Sequence, residues 1–134
     1  MPKAKLKIQR QVRSRPTPNK AREKRIIDEI VVDAYTREER VLGWYYYLEG
    51  KLKFPFRARC IVEETVSPLR AGEKVEVLEM APEDDCQGDM LVIIPWGGRT
   101  LSVPLTQLKG IAVDKETRQA IEDWHYWVQQ GYEF

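Results

Sequence analysis

The densest group of chemically useful side chains in this sequence is an acidic loop, residues 82–89. It places the carboxylates of Glu83, Asp84, Asp85 and Asp89 within seven positions, with no basic residue among them. Calcium is a hard cation that takes about six to eight oxygen ligands and tolerates irregular geometry, so the acidic loop could supply several of them. The spacing does not follow the EF-hand pattern of alternating acids, a glycine and a later glutamate. The alternative is that these carboxylates are simply solvated.

A second acidic group falls in a segment with helical periodicity. Its members are Asp28, Glu29, Asp33, Glu38 and Glu39. Asp33 and Glu38 flank a predicted turn between two helices, where two carboxylates and a backbone carbonyl could converge on a cation. The alternative is capping, since Glu38 and Glu39 suit the first turn of a helix, whose dipole favours negative charge. Asp123 in the predicted last helix could also face the small β-barrel that the middle of the chain is predicted to form, and the sequence leaves this open.

The remaining candidates for chemistry are two cysteines and one histidine. A structural zinc site normally takes four Cys or His ligands, so Cys60, Cys86 and His125 make zinc binding an unfavoured interpretation. Two cysteines are too few for a disulfide scaffold, and both are expected to be reduced thiols. Because His125 has no second histidine and no recognisable nucleophile beside it, we expect it to be a structural or surface residue and the protein not to be an enzyme.

Charge is distributed unevenly along the 134 residues, although the formal net charge is only +1. Residues 1–25 carry ten Lys or Arg against one Glu, a net of +9, whereas the other 109 residues have a net charge of −8. A basic arm therefore precedes an acidic domain. Residues 1–20 are predicted to be a disordered tail. The alternatives are that residues 1–25 make a weak contact with nucleic acid or another acidic surface, by releasing counterions, or fold back on the acidic domain.

The rest of the chain, residues 21–134, has the length of a single domain. An apolar share of 43% supports a hydrophobic core. No apolar run approaches the ~18 residues that a membrane span requires. The first eleven residues also lack the apolar centre of a signal peptide. A monomeric, cytoplasmic protein is the resulting expectation.

Helical signals stand at both ends of this domain. Apolar residues recurring every three or four positions predict a first helix from about Lys20 and continuing to Ala34. The run Thr36-Arg37-Glu38-Glu39 has the form of a capping box, which predicts the start of a second helix. Asp114 is predicted to cap a last helix over residues 115–130. The aromatic run Trp44-Tyr45-Tyr46-Tyr47 is expected to pack in the core rather than to stack on bases.

Strand signals fill the middle of the chain. Runs of β-branched and aromatic residues between turn signals predict strands at 56–66, 74–80, 90–96 and 99–103. Gly97 and Gly98 predict a tight hairpin, and Pro104-Leu105-Thr106-Gln107-Leu108 predicts a single 3₁₀ turn. The predicted fold is α+β: a small, partly open SH3-like antiparallel barrel with two helices before it and one C-terminal helix.

Several short stretches carry a resemblance to a known family. They are Asp33-Ala34-Tyr35 with Glu38-Glu39, Gly43-Trp44-Tyr45-Tyr46-Tyr47-Leu48, Phe54-Pro55-Phe56, Ser67-Pro68-Leu69, Val103-Pro104-Leu105, Asp123-Trp124-His125-Tyr126-Trp127 and Gly131-Tyr132-Glu133-Phe134. In this order they resemble the cyanobacterial CcbP-type calcium-binding proteins. The resemblance spans residues 26–134.

The resemblance implies a small protein that binds Ca²⁺ outside any EF-hand and buffers or sequesters it through clustered surface carboxylates. The implied ligands are Glu83, Asp84, Asp85, Asp89, Asp33, Glu38 and Asp123. The basic arm departs from the idea of an acidic calcium trap, because its cations repel calcium at long range. The rival hypothesis is an SH3-like binding module whose basic arm contacts nucleic acid or a protein partner.

Overall fold

A computed structural model of the chain describes residues 17–131, which contain three α-helices and six short β-strands. The helices are α1 (Lys20–Glu29), α2 (Arg37–Lys51) and α3 (Lys115–Gln129). The strands are β1 (Phe56–Cys60), β2 (Lys74–Val77), β3 (Glu79–Met80), β4 (Leu91–Trp96), β5 (Arg99–Pro104) and β6 (Leu108–Ile111). Most of the tail predicted for residues 1–20 lies outside the described residues. No helix among residues 17–131 is long and apolar enough to cross a membrane.

The strands form two antiparallel sheets, in the orders β2-β1-β6 and β3-β4-β5. The chain passes from one sheet to the other at Leu78, whose N–H donates to the carbonyl of Ile93 in β4 (2.8 Å). The α+β class is confirmed, with two helices before the strands and one after them. The strands are divided between two sheets rather than joined in one closed barrel, so the SH3-like description remains a prediction.

Strand boundaries differ from the sequence predictions where tertiary pairing decides them. The strand predicted over residues 56–66 ends at Cys60, and Val66 beyond it is 73% exposed. The strand predicted over residues 74–80 is divided into β2 and β3. Strand β6 was not predicted, because its Lys109-Gly110 centre lacks a strand-like pattern. It forms by pairing with β1, in the register Cys60↔Leu108.

Side-chain caps begin all three helices among the described residues. Asn19 Oδ1 accepts from the N–H of Arg22 (2.9 Å), and Asp114 Oδ1 accepts from the N–H of Thr117 (3.2 Å). The capping box of Thr36 and Glu39 is formed as predicted. These local signals therefore fix where each helix starts.

The first helix is shorter than its apolar pattern predicted. It ends at Glu29, and Asp33 in the following turn has a φ of 57°. Positive φ is rare outside glycine, although aspartate adopts it more readily than most residues. The turn lets α2 return close to α1. A Cβ on Gly43 of α2 would collide with the carbonyl oxygen of Ile30, so the approach requires glycine there.

The core is centred on aromatic residues from α2 and α3. The rings of Trp44 and Trp124, which are 0% and 2% exposed, meet edge to face with centroids 5.0 Å apart. Trp127 packs on the same Trp44 ring at 5.8 Å. The predicted core role of the aromatic run is thus confirmed for Trp44. It is wrong for Tyr46, which is 56% exposed.

A buried ion-pair cluster joins the three helices. The side chain of Asp123 in α3 is 0% exposed, and its two oxygens accept from both Nη atoms of Arg25 in α1 (2.9 and 2.7 Å). Tyr47 in α2 donates its hydroxyl to the same carboxylate (2.7 Å), and Arg22 approaches within 3.3 Å. The hydrogen bond to Asp123 raises the pKa of Arg25. Burial, with that carboxylate, raises the pKa of Tyr47.

We expect Asp123→Ala to lower the free energy of unfolding by about 3 kcal/mol, because it leaves two arginines and a buried hydroxyl without their shared acceptor. Urea unfolding followed by tryptophan fluorescence measures the loss. The matched control is Glu122→Ala, which removes an exposed carboxylate 3.5 Å from Arg22 and should cost less than about 1 kcal/mol. Equal losses in the two variants would show that the buried cluster stabilises the fold no more than the exposed ion pair does.

Candidate metal centre

The acidic loop connects β3 to β4 and is folded over a buried cysteine. Residues Glu83–Cys86 form a 3₁₀ turn, closed by a hydrogen bond from the N–H of Asp85 to the carbonyl of Pro82 (2.8 Å). Cys86 is fully buried, and its sulfur accepts from the N–H of Leu91 (3.4 Å). Since a 3₁₀ helix has about three residues per turn, burying Cys86 leaves Asp84 and Asp85 directed outward, and both are exposed.

Helix α2 holds one end of the acidic loop. The hydroxyl of Tyr46 donates to Oε1 of Glu83 (2.6 Å), and this bond raises the pKa of Tyr46. The guanidinium of Arg37 donates to the carbonyl of Gln87 (2.8 Å). Gln87 in turn donates its side-chain amide to the carbonyl of Glu83 (3.1 Å). The first turn of α2, through Arg37, and its third turn, through Tyr46, therefore both contact the loop.

Asp89 has a different environment from the other loop carboxylates. It is half-buried, and its Oδ1 accepts from the N–H of Met90 (2.8 Å). Burial raises the pKa of Asp89, and repulsion from the carboxylate of Glu64 adds to the shift. Glu64 lies in the loop after β1 and was not among the predicted site residues. No spacing in the sequence connects it with Asp89, because the two loops meet only in the folded chain.

The second acidic group lies at the turn between α1 and α2. Glu39 is committed to capping, since its Oε1 accepts from the N–H groups of Tyr35 (2.8 Å) and Thr36 (3.0 Å). Asp33 and Glu38 are exposed on either side of this cap. Arg37, next to Glu38, reaches the carbonyl of Gln87, so this turn borders the acidic loop.

Asp123 lies in the helix interface rather than with the loop carboxylates. Its two oxygens accept from Arg25 and Tyr47, as described above. A cation placed on this carboxylate would have to displace the Arg25 guanidinium. The geometry therefore supports a positioning role for Asp123 more directly than a role as a calcium ligand.

Within residues 17–131, no three His, Cys, Asp or Glu side chains stand close enough together to enclose a metal ion. The donor set of the acidic loop nevertheless fits calcium, because it consists of carboxylate oxygens with backbone carbonyls beside them. Exposed Asp84 and Asp85 can turn towards an ion, and water can complete its shell. The sulfur and imidazole groups do not contribute, since Cys60 and Cys86 are free but buried. His125 Nε2 faces the carbonyl of Leu105 (3.1 Å).

The nucleic-acid contact predicted for residues 1–25 lies largely outside the described residues. Several cations at its described end are already used inside the domain. Arg22 and Arg25 bind Asp123, and Lys24 binds Asp28 (2.6 Å). The charge available to an external polyanion is therefore smaller than the net +9 counted from the sequence of residues 1–25.

Comparison with known proteins gives a consistent result. A CcbP-type family model, described as calcium binding, matches residues 24–128. The crystal structure of Anabaena CcbP is similar to this chain at 41% identity and a TM-score of 0.78, over 89% of this chain and 98% of that one. A second structure, a calcium-binding protein in its calcium-binding form, is 42% identical with a TM-score of 0.76, over 87% and 95% of the two chains. A comparison with curated protein sequences finds no match.

Because the pKa of Asp89 is raised, we expect Asp89→Asn to change the free energy of unfolding of the metal-free protein by an amount that depends on pH. Because the folded state binds this proton more tightly than the unfolded chain does, the contribution of Asp89 to stability falls as the pH rises through its folded pKa. Asparagine still accepts from Met90 but carries no charge. The variant should match the wild type near about pH 3, where Asp89 is protonated in both states, and be more stable near about pH 7.

Chemical denaturation at a series of pH values checks this expectation. Asp85→Asn is the matched control, because it removes the same charge from an exposed position in the same loop. A stability difference for Asp89→Asn that does not change with pH, or a variant less stable than the wild type at neutral pH, would contradict the assignment.

Proposed function

The chain belongs to the CcbP family of calcium-binding proteins, and from that premise we propose that it binds Ca²⁺ reversibly through the acidic loop, without catalysis. The observation that carries the proposal is the 3₁₀ turn of Glu83–Cys86. It buries one cysteine and presents the neighbouring carboxylates to solvent on a loop that contains no cation.

In the proposed site the loop carboxylates have three different roles. Asp84 and Asp85 are exposed and supply the first oxygens to an arriving ion. Glu83 is a further oxygen ligand in this proposal, and its side chain is oriented by the hydrogen bond from Tyr46. Bound calcium should change the protonation of Asp89 most among these carboxylates. Burial and Glu64 disfavour its ionised form, and a nearby divalent cation favours that form. Backbone carbonyls and water complete the shell.

Three further predicted residues have supporting places in this proposal. Asp33 and Glu38 lie near Arg37, which donates to the carbonyl of Gln87 in the acidic loop. In this proposal they contribute to a neighbouring or shared calcium position. Asp123 acts at a distance, since its carboxylate fixes Tyr47 and hence the helix that carries Tyr46 and Arg37. These roles remain proposals for the same site.

We propose that the protein buffers calcium, and the anchoring of the acidic loop supports this role. The loop is anchored to α2 before any ion arrives, so binding requires side chains to turn rather than domains to move. We expect a dissociation constant on the order of 10⁻⁶ to 10⁻⁴ M, the range of calcium sensors and weaker sites. Magnesium should bind more weakly, because it demands octahedral geometry and gives up its water reluctantly.

Asp84→Asn combined with Asp85→Asn tests the charge of the loop while keeping its shape. We expect the calcium affinity to fall at least about tenfold, which corresponds to about 1.4 kcal/mol. The metal-free double variant should be no less stable than the wild type, because removing like charges relieves repulsion. Calorimetric titration of metal-stripped protein measures the affinity.

The matched control is Glu116→Gln with Glu122→Gln, which removes two exposed carboxylates from α3 and changes the net charge equally. It should leave calcium affinity within about twofold of the wild type, since exposed charges far from the ion are screened. Full calcium affinity in the loop variant would move the site to Asp33 and Glu38. No calcium response of the wild type at millimolar concentration would refute calcium binding itself.

A further inference from the structure

A second concave site lies between α3, β6 and the end of β1. It is a cavity of about 210 Å³ that shares no lining residue with the acidic loop. Ile61, Gly110 and Ile121 line its apolar part, and Lys109, Arg118 and His125 line the rest with Glu122. The calcium proposal uses none of these lining residues.

The apolar wall of the cavity is held in place by tertiary contacts. Ile121 in α3 is only 3% exposed, whereas Ile61 at the mouth is 46% exposed. The N–H of Ile61 donates to the carbonyl of Gln107 (2.7 Å), which fixes this side of the mouth. A Cβ on Gly110 would come within 2.8 Å of the Val113 side chain, so the strand lies as close to this side chain as glycine allows. Tertiary contacts therefore fix the backbone on two sides of the cavity.

The charges around the cavity are unbalanced. Lys109 and Arg118 are exposed, and neither pairs with a carboxylate within residues 17–131. Glu122 is the one carboxylate in the lining, and it already has a partner in Arg22 at 3.5 Å. His125 adds no positive charge at neutral pH, because burial lowers its pKa. Two cations that form no ion pair with the described part of the chain thus lie beside an apolar wall.

From this combination we propose that the cavity binds a small organic carboxylate that carries an apolar group. The carboxylate lies against Lys109 and Arg118, where the planar guanidinium can donate two parallel hydrogen bonds. The apolar group packs on Ile61 and Ile121. Because the cavity is smaller than the roughly 300 to 1,000 Å³ of sites for drug-sized ligands, the ligand has on the order of ten non-hydrogen atoms. This inference does not depend on calcium binding.

Benzoate is a suitable probe, because it joins one carboxylate to one compact apolar ring. Titration of isotope-labelled full-length protein should produce saturable shifts of the backbone amide signals of Gly110 and Ile121. Three analogues separate the contributions: benzamide keeps the ring without the charge, acetate keeps the charge without the ring, and benzylamine reverses the charge. We expect each analogue to bind at least about fivefold more weakly than benzoate, or about 1 kcal/mol.

Lys109→Gln with Arg118→Gln should weaken benzoate binding at least about fivefold, while calcium affinity stays unchanged. The matched control is Lys74→Gln with Arg99→Gln, which removes two exposed cations that do not line the cavity. Both pairs lie on the surface, so we expect the variants to fold, and circular dichroism checks this.

Three results would overturn the proposal. The first is the absence of any saturable shift with benzoate. The second is equal or tighter binding of benzamide or benzylamine, which would mean that the cations do not select the ligand. The third is an equal loss of binding in the control pair, which would indicate attraction to the overall charge of the protein rather than to this cavity.

Discussion

One buried carboxylate holds the helical part of this protein together. Asp123 accepts hydrogen bonds from α1 and α2 while belonging to α3, so a single side chain sets the relative position of three helices. Taking a carboxylate out of water is costly unless cations and hydroxyls replace the lost hydration. Here Arg25, Arg22 and Tyr47 do so from two directions. Hydrophobic packing around Trp44 could accept several helix arrangements, whereas this hydrogen-bond geometry accepts few.

The acidic loop depends on that arrangement through α2. Tyr47 holds the helix against Asp123, and the preceding residue, Tyr46, which points about 100° away around the helix, extends to Glu83. The loop can therefore concentrate carboxylates that repel one another, because hydrogen bonds from Tyr46 and Arg37 anchor it to α2. Asp89 shows the cost of this design, since burial and Glu64 both disfavour its charge in the metal-free protein. A divalent cation removes that cost, which is the physical basis of the proposed function.

Local signals in the sequence predicted much of this fold. The capping box at Thr36, the cap at Asp114 and the 3₁₀ turn of Leu105–Gln107 all involve residues a few positions apart, and they are confirmed. The features that were missed are long-range. Strand β6 exists because β1 pairs with it, and the ion pair of Arg25 and Asp123 joins positions 98 residues apart.

The features of the candidate site also fall into local ones, which the sequence predicts, and long-range ones, which it does not. The cluster of acids in residues 82–89 is visible as a pattern, and so are Asp33 and Glu38 beside a predicted turn. The proximity of Glu64 to Asp89 and the bond from Tyr46 to Glu83 are not visible, because they join separate loops and helices. Asp123 was singled out as an acid that could face the barrel. Only the folded chain reveals that its partners are the arginines of the first helix.

The separation of Arg25 from Asp123 also dictates an order of events during synthesis on the ribosome. Helix α1 emerges early, but Arg25 lacks its partner Asp123 until α3 has been translated, because the two residues are 98 positions apart. The β4–β5 hairpin joins neighbouring segments and can form as soon as it emerges, whereas contacts of long sequence separation form late. The nascent chain can therefore form the β4–β5 hairpin before the contacts between α1 and α3. It acquires its final helical arrangement only when the last described helix leaves the ribosome.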